Sequence, residues 1–265
     1  MGRSQKLLTM PAELPDLPVT SIHPDRRAMG TAAAEKVHAE ACRIVMMKDT
    51  ARMVMACAPS QDDYYAALIP LVRSAPEVWR KVEIFHMDEY VGLTAASPQS
   101  FRSYLREHFL DHVEVAAFHP IGGEADPSLE SIRYESLLSA APIDIISMGI
   151  GENGHIAFND PPVADFNDPH LIKKVELDAI CRQQQVNDGC FPTLDAVPTH
   201  ALSLTLPVFA GAGMLVCIVP GVRKAEAVRN TLLGPVGTAC PATLLRGHKN
   251  SFLYVDADSA SLLDS

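Results

Sequence analysis

Apolar residues recur along this chain in two alternating rhythms, one of helical period and one of short unbroken runs, and that order restricts the fold to a parallel sheet with helices on its faces. Residues 30–48 carry Val37, Ala41, Ile44 and Val45 at helical spacing, and residues 54–58 follow as a buried strand. Residues 61–74 form the next helix and residues 82–85 the next strand. Ser97 and Pro98 supply a cap and first-turn proline for a helix with Phe101, Tyr104, Leu105, His108 and Phe109 inward. A helix at 127–140 is expected to turn Leu129, Ile132, Leu137 and Leu138 inward. Residues 143–148 form a strand ending in a glycine-rich turn. Further strands are expected at 201–206, 214–219 and 251–255, with a helix at 223–233.

Residues 160–195 break the rhythm. Asp, Pro, Asn and Gln dominate there, with one short helical stretch near 177–186, and a long polar segment inside a compact domain reads as a lid or binding loop. With 265 residues, 48% hydrophobic and 20% charged, the chain is expected to form one α/β domain over 1–265 that carries this insertion.

Charge excludes several function classes. The formal net charge is −10 and no basic run exceeds a pair, which argues against nucleic acid or an anionic membrane as partner. No run approaches the roughly 18 to 20 apolar residues of a membrane helix. The first 18 residues lack a signal-peptide core, and Lys6 stands where a myristoylation signal wants Ser or Thr. A cytoplasmic location is expected. Cys42, Cys57, Cys181, Cys190, Cys217 and Cys240 contain no Cys-x-x-Cys pair and read as free or buried thiols; only Cys181 and Cys190 have polar neighbours.

In an open parallel sheet, ligands bind beyond the carboxyl ends of the strands. Three polar turns lie at such ends. His86-Met87-Asp88-Glu89-Tyr90 offers adjacent carboxylates, and partial desolvation would fit Asp88 to act as a general base. Gly149, Gly151 and Gly154 have dinucleotide-type spacing, but Pro161 and Pro162 stop the helix that a pyrophosphate needs, so no nicotinamide or flavin is expected. Those glycines instead allow close backbone approach to a small ligand, while His155 sits among Asn153, Asn159 and Asp160 as a proton carrier. In the third turn, Arg223 and Lys224 open a helix as an anion site. Neither His86, Asp88 and His155 nor the pair His108 and His112 reads as a metal site, and no cofactor is expected.

Phe85 to Gly92, Ser97 to Phe101, Met148 to Pro161, Val197 to Leu202 and Lys224-Ala225 closely resemble, in the same order, the glucosamine-6-phosphate deaminase (isomerase) family. The resemblance runs from about residue 30 to residue 255. It implies a Rossmann-like, mostly parallel sheet with helices on both faces, and conversion of glucosamine 6-phosphate and water into fructose 6-phosphate and ammonia. Asp88 would move a proton from C2 toward C1 through an enolamine. His155 would help open the sugar ring, supported by Asn153 and Asp160. Lys224 would contact the phosphate, and Ser60, Gln61, Glu89, Gly151 and Arg182 complete the expected substrate-binding set. A sugar phosphate is the implied partner, and a homo-oligomer is left open.

Asp160 stands where the family usually has Glu, and Ala58 to Asp63 replaces a Gly-Thr-Pro type phosphate loop. Ser60 can still donate a hydroxyl, and the amides of Gln61 and Asp62 can face a phosphate, but Asp62 and Asp63 put negative charge at the same helix start. Val186 occupies the register of the family's lid arginine, with Arg182 and Gln183 to Gln185 close by. Two other readings stay open: a 6-phosphogluconolactonase-type hydrolase, sharing the glycine-histidine turn, and a sugar-phosphate sensor. The acidic chain offers no stretch for the DNA-binding domain such sensors carry.

Overall fold

Successive residues of the central strands enter two different apolar cores. Met214, Val216 and Ile218 pack into one, Leu215, Cys217 and Val219 into the other. A strand buried on both faces needs a helical layer on each side, and the sequence supplies both. The computed structural model describes residues 17–263; the reading of Lys6 and the residues around it lies outside them.

The first half of the chain runs β1 (Val19–His23), α1 (Arg26–Lys48), β2 (Ala51–Met55), α2 (Asp62–Ser74), α3 (Pro76–Trp79), β3 (Val82–His86), β4 (Asp88–Tyr90), α4 (Phe101–His108), β5 (Ala117–His119) and α5 (Pro127–Ser139). It continues with β6 (Ile145–Met148), β7 (Ile172–Glu176), α6 (Ala179–Asn187), β8 (His200–Leu204), α7 (Leu206–Ala210), β9 (Met214–Val219), α8 (Ala225–Leu233) and β10 (Ser251–Asp256). Seven strands form one parallel sheet in the order β1-β10-β9-β6-β2-β3-β5. The chain steps from β2 to β3 and β5 in one direction and from β6 to β9 and β10 in the other, so β2 and β6 flank the switch point where a crevice opens. A second, antiparallel sheet, β4-β8-β7, stands at that end.

Several expectations change. In α5, Leu129 and Ile132 are exposed, while Glu130, Tyr134 and Leu138 face inward. The polar pair is satisfied inside: Glu130 accepts from the Gly122 amide at 2.6 Å and pairs with Arg133, and the Tyr134 hydroxyl donates to the His86 carbonyl at 2.9 Å. Satisfied buried polar groups let the helix rotate its apolar pair to solvent. Helix α4 starts three residues later than the Ser97-Pro98 reading, because Ser100 is the cap and accepts from the Ser103 amide at 3.1 Å. Residues 160–195 hold α6 near its expected place, and also β7, whose ladder with β8 the polar composition concealed. All six cysteines are free thiols, and Cys181 is fully buried despite its polar neighbours.

Candidate active site

A cavity of about 650 Å³ opens beyond the strand ends. Its walls include Ser60 after β2, Asp88 at the start of β4, Gly151 and His155 in the turn after β6, and Lys224 after β9. These five expected site residues therefore share one space, although they come from four separate crossovers.

Asp88 is placed by a change of sheet. The backbone leaves β3 at His86 and enters β4 at Asp88, which pairs with Ser203 of β8. His86 anchors the junction, with Nε2 accepting from the Ile121 amide at 2.7 Å and the ring fully buried. Burial lowers its pKa to about 3, so it is a neutral structural group. The Asp88 carboxyl is 7% exposed, and burial, reinforced by the charge of neighbouring Glu89, pushes its pKa well above the ordinary aspartate range. Among the described residues, none donates a hydrogen bond or ion pair to that carboxylate, so its basicity is unquenched.

The glycine turn places His155. Gly154 has φ +82, and a Cβ there would come 2.6 Å from Cys240 Sγ. The backbone amide of His155 donates to Asn153 Oδ1 at 3.0 Å, and Asn153 Nδ2 donates to Asp160 Oδ1 at 2.8 Å. His155 Nδ1 stands 2.8 Å from that same Oδ1. Burial raises the Asp160 pKa, but the closeness and charge of His155, with Asn153 and Cys181, outweigh it and hold the group below the ordinary aspartate range. A buried anion beside an imidazole fixes the orientation of the ring. The shorter Asp160 side chain thus still reaches His155.

Lys224 is 7% exposed, and burial lowers its pKa, with Asp188 and Glu152 acting in the opposite direction. Ser60 accepts at Oγ from Gln61 Nε2 at 3.1 Å, and that amide also donates to the Ile218 carbonyl at 3.2 Å. Gln61 is therefore fully buried behind the loop and supports Ser60 from outside the cavity lining.

Two further side chains expected at the ligand lie outside the cavity lining. Glu89 is fully buried; its carboxylate accepts from the amides of Phe101 and Arg102 and pairs with the Arg102 guanidinium at 3.0 Å. It caps α4 and is consumed by that work. Arg182 donates to the carbonyls of Leu194 at 2.7 Å and Val197 at 3.0 Å and does not line the cavity. The segment above the cavity contributes Gln184, Gln185 and Asp188 instead, and Gln184 Oε1 accepts from the Glu152 amide at 2.9 Å.

Arg26 and Asp256 also line the cavity and were missed in the sequence. The signal for Arg26 was Asp25, which caps α1 by accepting from the Ala28 amide, but the half-exposed β1 before it lacked a strand-like core. Arg26 is not a free cation: it pairs with Asp63 and donates to the Pro59 carbonyl at 2.9 Å. The acidic start of α2 thereby acquires a partner.

A profile of the glucosamine-6-phosphate isomerases/6-phosphogluconolactonase family matches residues 24–254. A glucosamine-6-phosphate deaminase of Exiguobacterium sibiricum is 38% identical over 195 residues, covering 71% of this chain and 75% of that protein. Another, of Corynebacterium glutamicum, is 34% identical over 206 residues, covering 76% and 79%. Among solved structures, a monomeric glucosamine-6-phosphate deaminase superposes with TM-score 0.84 at 28% identity, covering 92% of this chain and 99% of that one. A 6-phosphogluconolactonase of Trypanosoma brucei, at TM-score 0.73 and 19% identity over 93% and 98% of the two chains, shares the fold.

Proposed function

The chain belongs to the glucosamine-6-phosphate isomerase/6-phosphogluconolactonase family, and from that premise we propose that it is a deaminase that converts glucosamine 6-phosphate and water into fructose 6-phosphate and ammonia. The net reaction is hydrolytic: one water enters and the amino nitrogen leaves as ammonia. The observation that carries this reading is the unpaired, buried carboxyl of Asp88 in the same cavity as His155, which is backed by Asp160. Ring opening and enolisation need two proton carriers, and the two environments differ as two roles require.

In this reading His155 takes the proton of the anomeric hydroxyl and returns one to the ring oxygen, opening the sugar. Asp160 and Asn153 hold the imidazole in register for that exchange. Asp88 then removes the C2 proton to give the enolamine and delivers it to C1. Water adds at C2 as the carbon–nitrogen bond breaks and ammonia departs. Lys224 and Ser60 hold the phosphate, Gly151 lines the sugar site and leaves room there for the His155 ring, and Gln184 and Gln185 cover the sugar. Gln61, Glu89 and Arg182 act from behind, by fixing Ser60, α4 and the covering segment. The whole chain working as one domain, with residues 160–195 as its lid, belongs to the same proposal, as does a cytoplasmic setting.

Purified protein supplied with glucosamine 6-phosphate should release ammonia and form fructose 6-phosphate in equal amounts, and Asp88→Asn should abolish both. Hydrolysis of 6-phosphogluconolactone in place of deamination would overturn the proposal in favour of the lactonase reading. Binding without turnover, unaffected by Asp88→Asn, would favour the sensor.

A further inference from the structure

Behind the ring of His155 lies a cluster that proton transfer does not fully use. One ligand-type atom each from His155, Asp160 and Cys181 lies within 4.8 Å of the others, and all three residues are buried. Cys181 comes from the first turn of α6, where its amide donates to the capping carboxylate of Asp178 at 2.6 Å. Nδ1 of His155 and Oδ2 of Asp160 are buried polar atoms without an aligned hydrogen-bond partner, although Nδ1 stands 2.8 Å from the other Asp160 oxygen. The carboxylate of Asp160 is drawn on from two sides, by His155 and by the Cys181 thiol, so the three ligand-type groups converge on one point.

We propose that His155 Nδ1, the Asp160 carboxylate and Cys181 Sγ form an inhibitory three-ligand site for Zn2+, with water as the fourth ligand. The ligand chemistry selects the ion. Imidazole, carboxylate and thiolate together suit zinc, whereas magnesium and calcium call for oxygen ligands throughout. Tetrahedral zinc with bonds of about 2.0–2.3 Å sets its ligand atoms about 3.3–3.8 Å apart, so the cluster needs only a small contraction. As the sulfur–zinc bond forms, the thiol proton passes to solvent. The thiolate and carboxylate then balance the two positive charges, which makes a buried complex electrostatically neutral. His155 lines the cavity and Asp160 and Cys181 do not, so the ion would sit on the inner side of the imidazole.

Bound zinc would occupy the nitrogen and carboxylate that hold His155 in register and would staple α6 to the glycine turn. Gln184 already links these two segments through the Glu152 amide. Inhibition therefore rests on the proton-carrying role of His155; binding does not.

The test uses metal-free full-length protein and Co2+ as a spectroscopic probe. Wild type should take up one equivalent with tetrahedral visible bands and a near-ultraviolet thiolate-to-cobalt band, both displaced by Zn2+. Cys190→Ser should retain them; Cys181→Ser should lose the thiolate band. One equivalent of Zn2+ should lower deaminase activity at least about 10-fold in wild type, reversibly with EDTA, whereas Cys181→Ser, compared with its own zinc-free rate, should need at least about 10-fold more zinc for the same fractional loss. Should Cys181→Ser fold poorly, Cys181→Ala serves in its place. Absence of the thiolate band in wild type, or equal zinc sensitivity after loss of the thiol, overturns the site. Because the spectrum needs no turnover, the band without deaminase activity would support the site while counting only against the proposed reaction.

Discussion

Gly151 lies so close to the imidazole of His155 that a Cβ at that position would fall 2.2 Å from Cε1. The absent side chain is the space the ring occupies. In Gly151→Ala the imidazole must leave its place beside Asp160, and a displacement of about 1 Å can cost about 100-fold in rate. Steady-state kinetics should show kcat lower by at least that factor. Substrate binding, measured by calorimetry, should weaken far less; an unchanged kcat would contradict the role given to His155.

Asp88 predicts both a pH profile and a stability change. Its raised pKa means that the carboxylate base is lost on acidification earlier than an ordinary aspartate would be, so the acid limb of kcat/KM should lie above the ordinary aspartate range. For stability the sign is the reverse of the usual salt-bridged case. A carboxyl harder to ionise in the folded protein costs stability above its folded pKa and costs nothing below its unfolded pKa. Asp88→Asn should thus raise Tm at neutral pH, by about 2–4 °C for each kcal/mol relieved, and the gain should vanish in acid. Thermal unfolding at several pH values checks it.

Lys224 should govern affinity for the phosphate end. Lys224→Gln should raise KM for glucosamine 6-phosphate at least about 10-fold and change kcat little, since a phosphate contact far from the reacting carbons contributes to uniform binding. Burial lowers the Lys224 pKa, so its charge fades at lower pH than that of a surface lysine. Wild-type KM should therefore climb on the alkaline side while the Gln variant stays flat.

Glu89 should matter for folding more than for ligand contact. Glu89→Ala leaves the Arg102 guanidinium buried without its inner partner, a change of about 3–5 kcal/mol when no other group compensates. Arg102 also meets Glu124 at 2.7 Å, which brings the expectation toward the lower end. Chemical denaturation should show the loss, and Glu89→Gln, which keeps an acceptor for the α4 amides, should recover part of it.

Much of this architecture was legible because both periodicities are strong where burial is two-sided. Residues 214–219 read as the strand they form, since every side chain there is buried. β1 and β5 escaped because edge strands bury too little to impose a pattern, and β7 escaped because Lys173, Lys174 and Glu176 interrupt it. In the site, Asp88 and His155 could be found from strand ends and glycine spacing, both local signals. What Glu89 and Arg182 touch could not, because their partners lie on other elements and a charged residue reads alike whether it meets a ligand or a neighbour. The Leu129 and Ile132 reading failed for a related reason: helical spacing ranks residues by hydrophobicity, whereas Glu130 went inside through hydrogen bonds that only tertiary structure provides.

Ser203 belongs to two arrangements at once. Its backbone pairs with Asp88 across the β4 and β8 ladder, and its hydroxyl accepts from the Phe158 amide at 3.0 Å, three residues beyond His155. The two proposed proton carriers are thereby referenced to a single point, while the groups expected to recognise the phosphate are tied elsewhere, Ser60 through Gln61 to the Ile218 carbonyl of β9, the strand that precedes Lys224. Over evolutionary time that division frees the recognition loops to drift toward other sugars without disturbing the spacing between base and histidine, so related chains can diverge in what they accept long before they diverge in what they do to it.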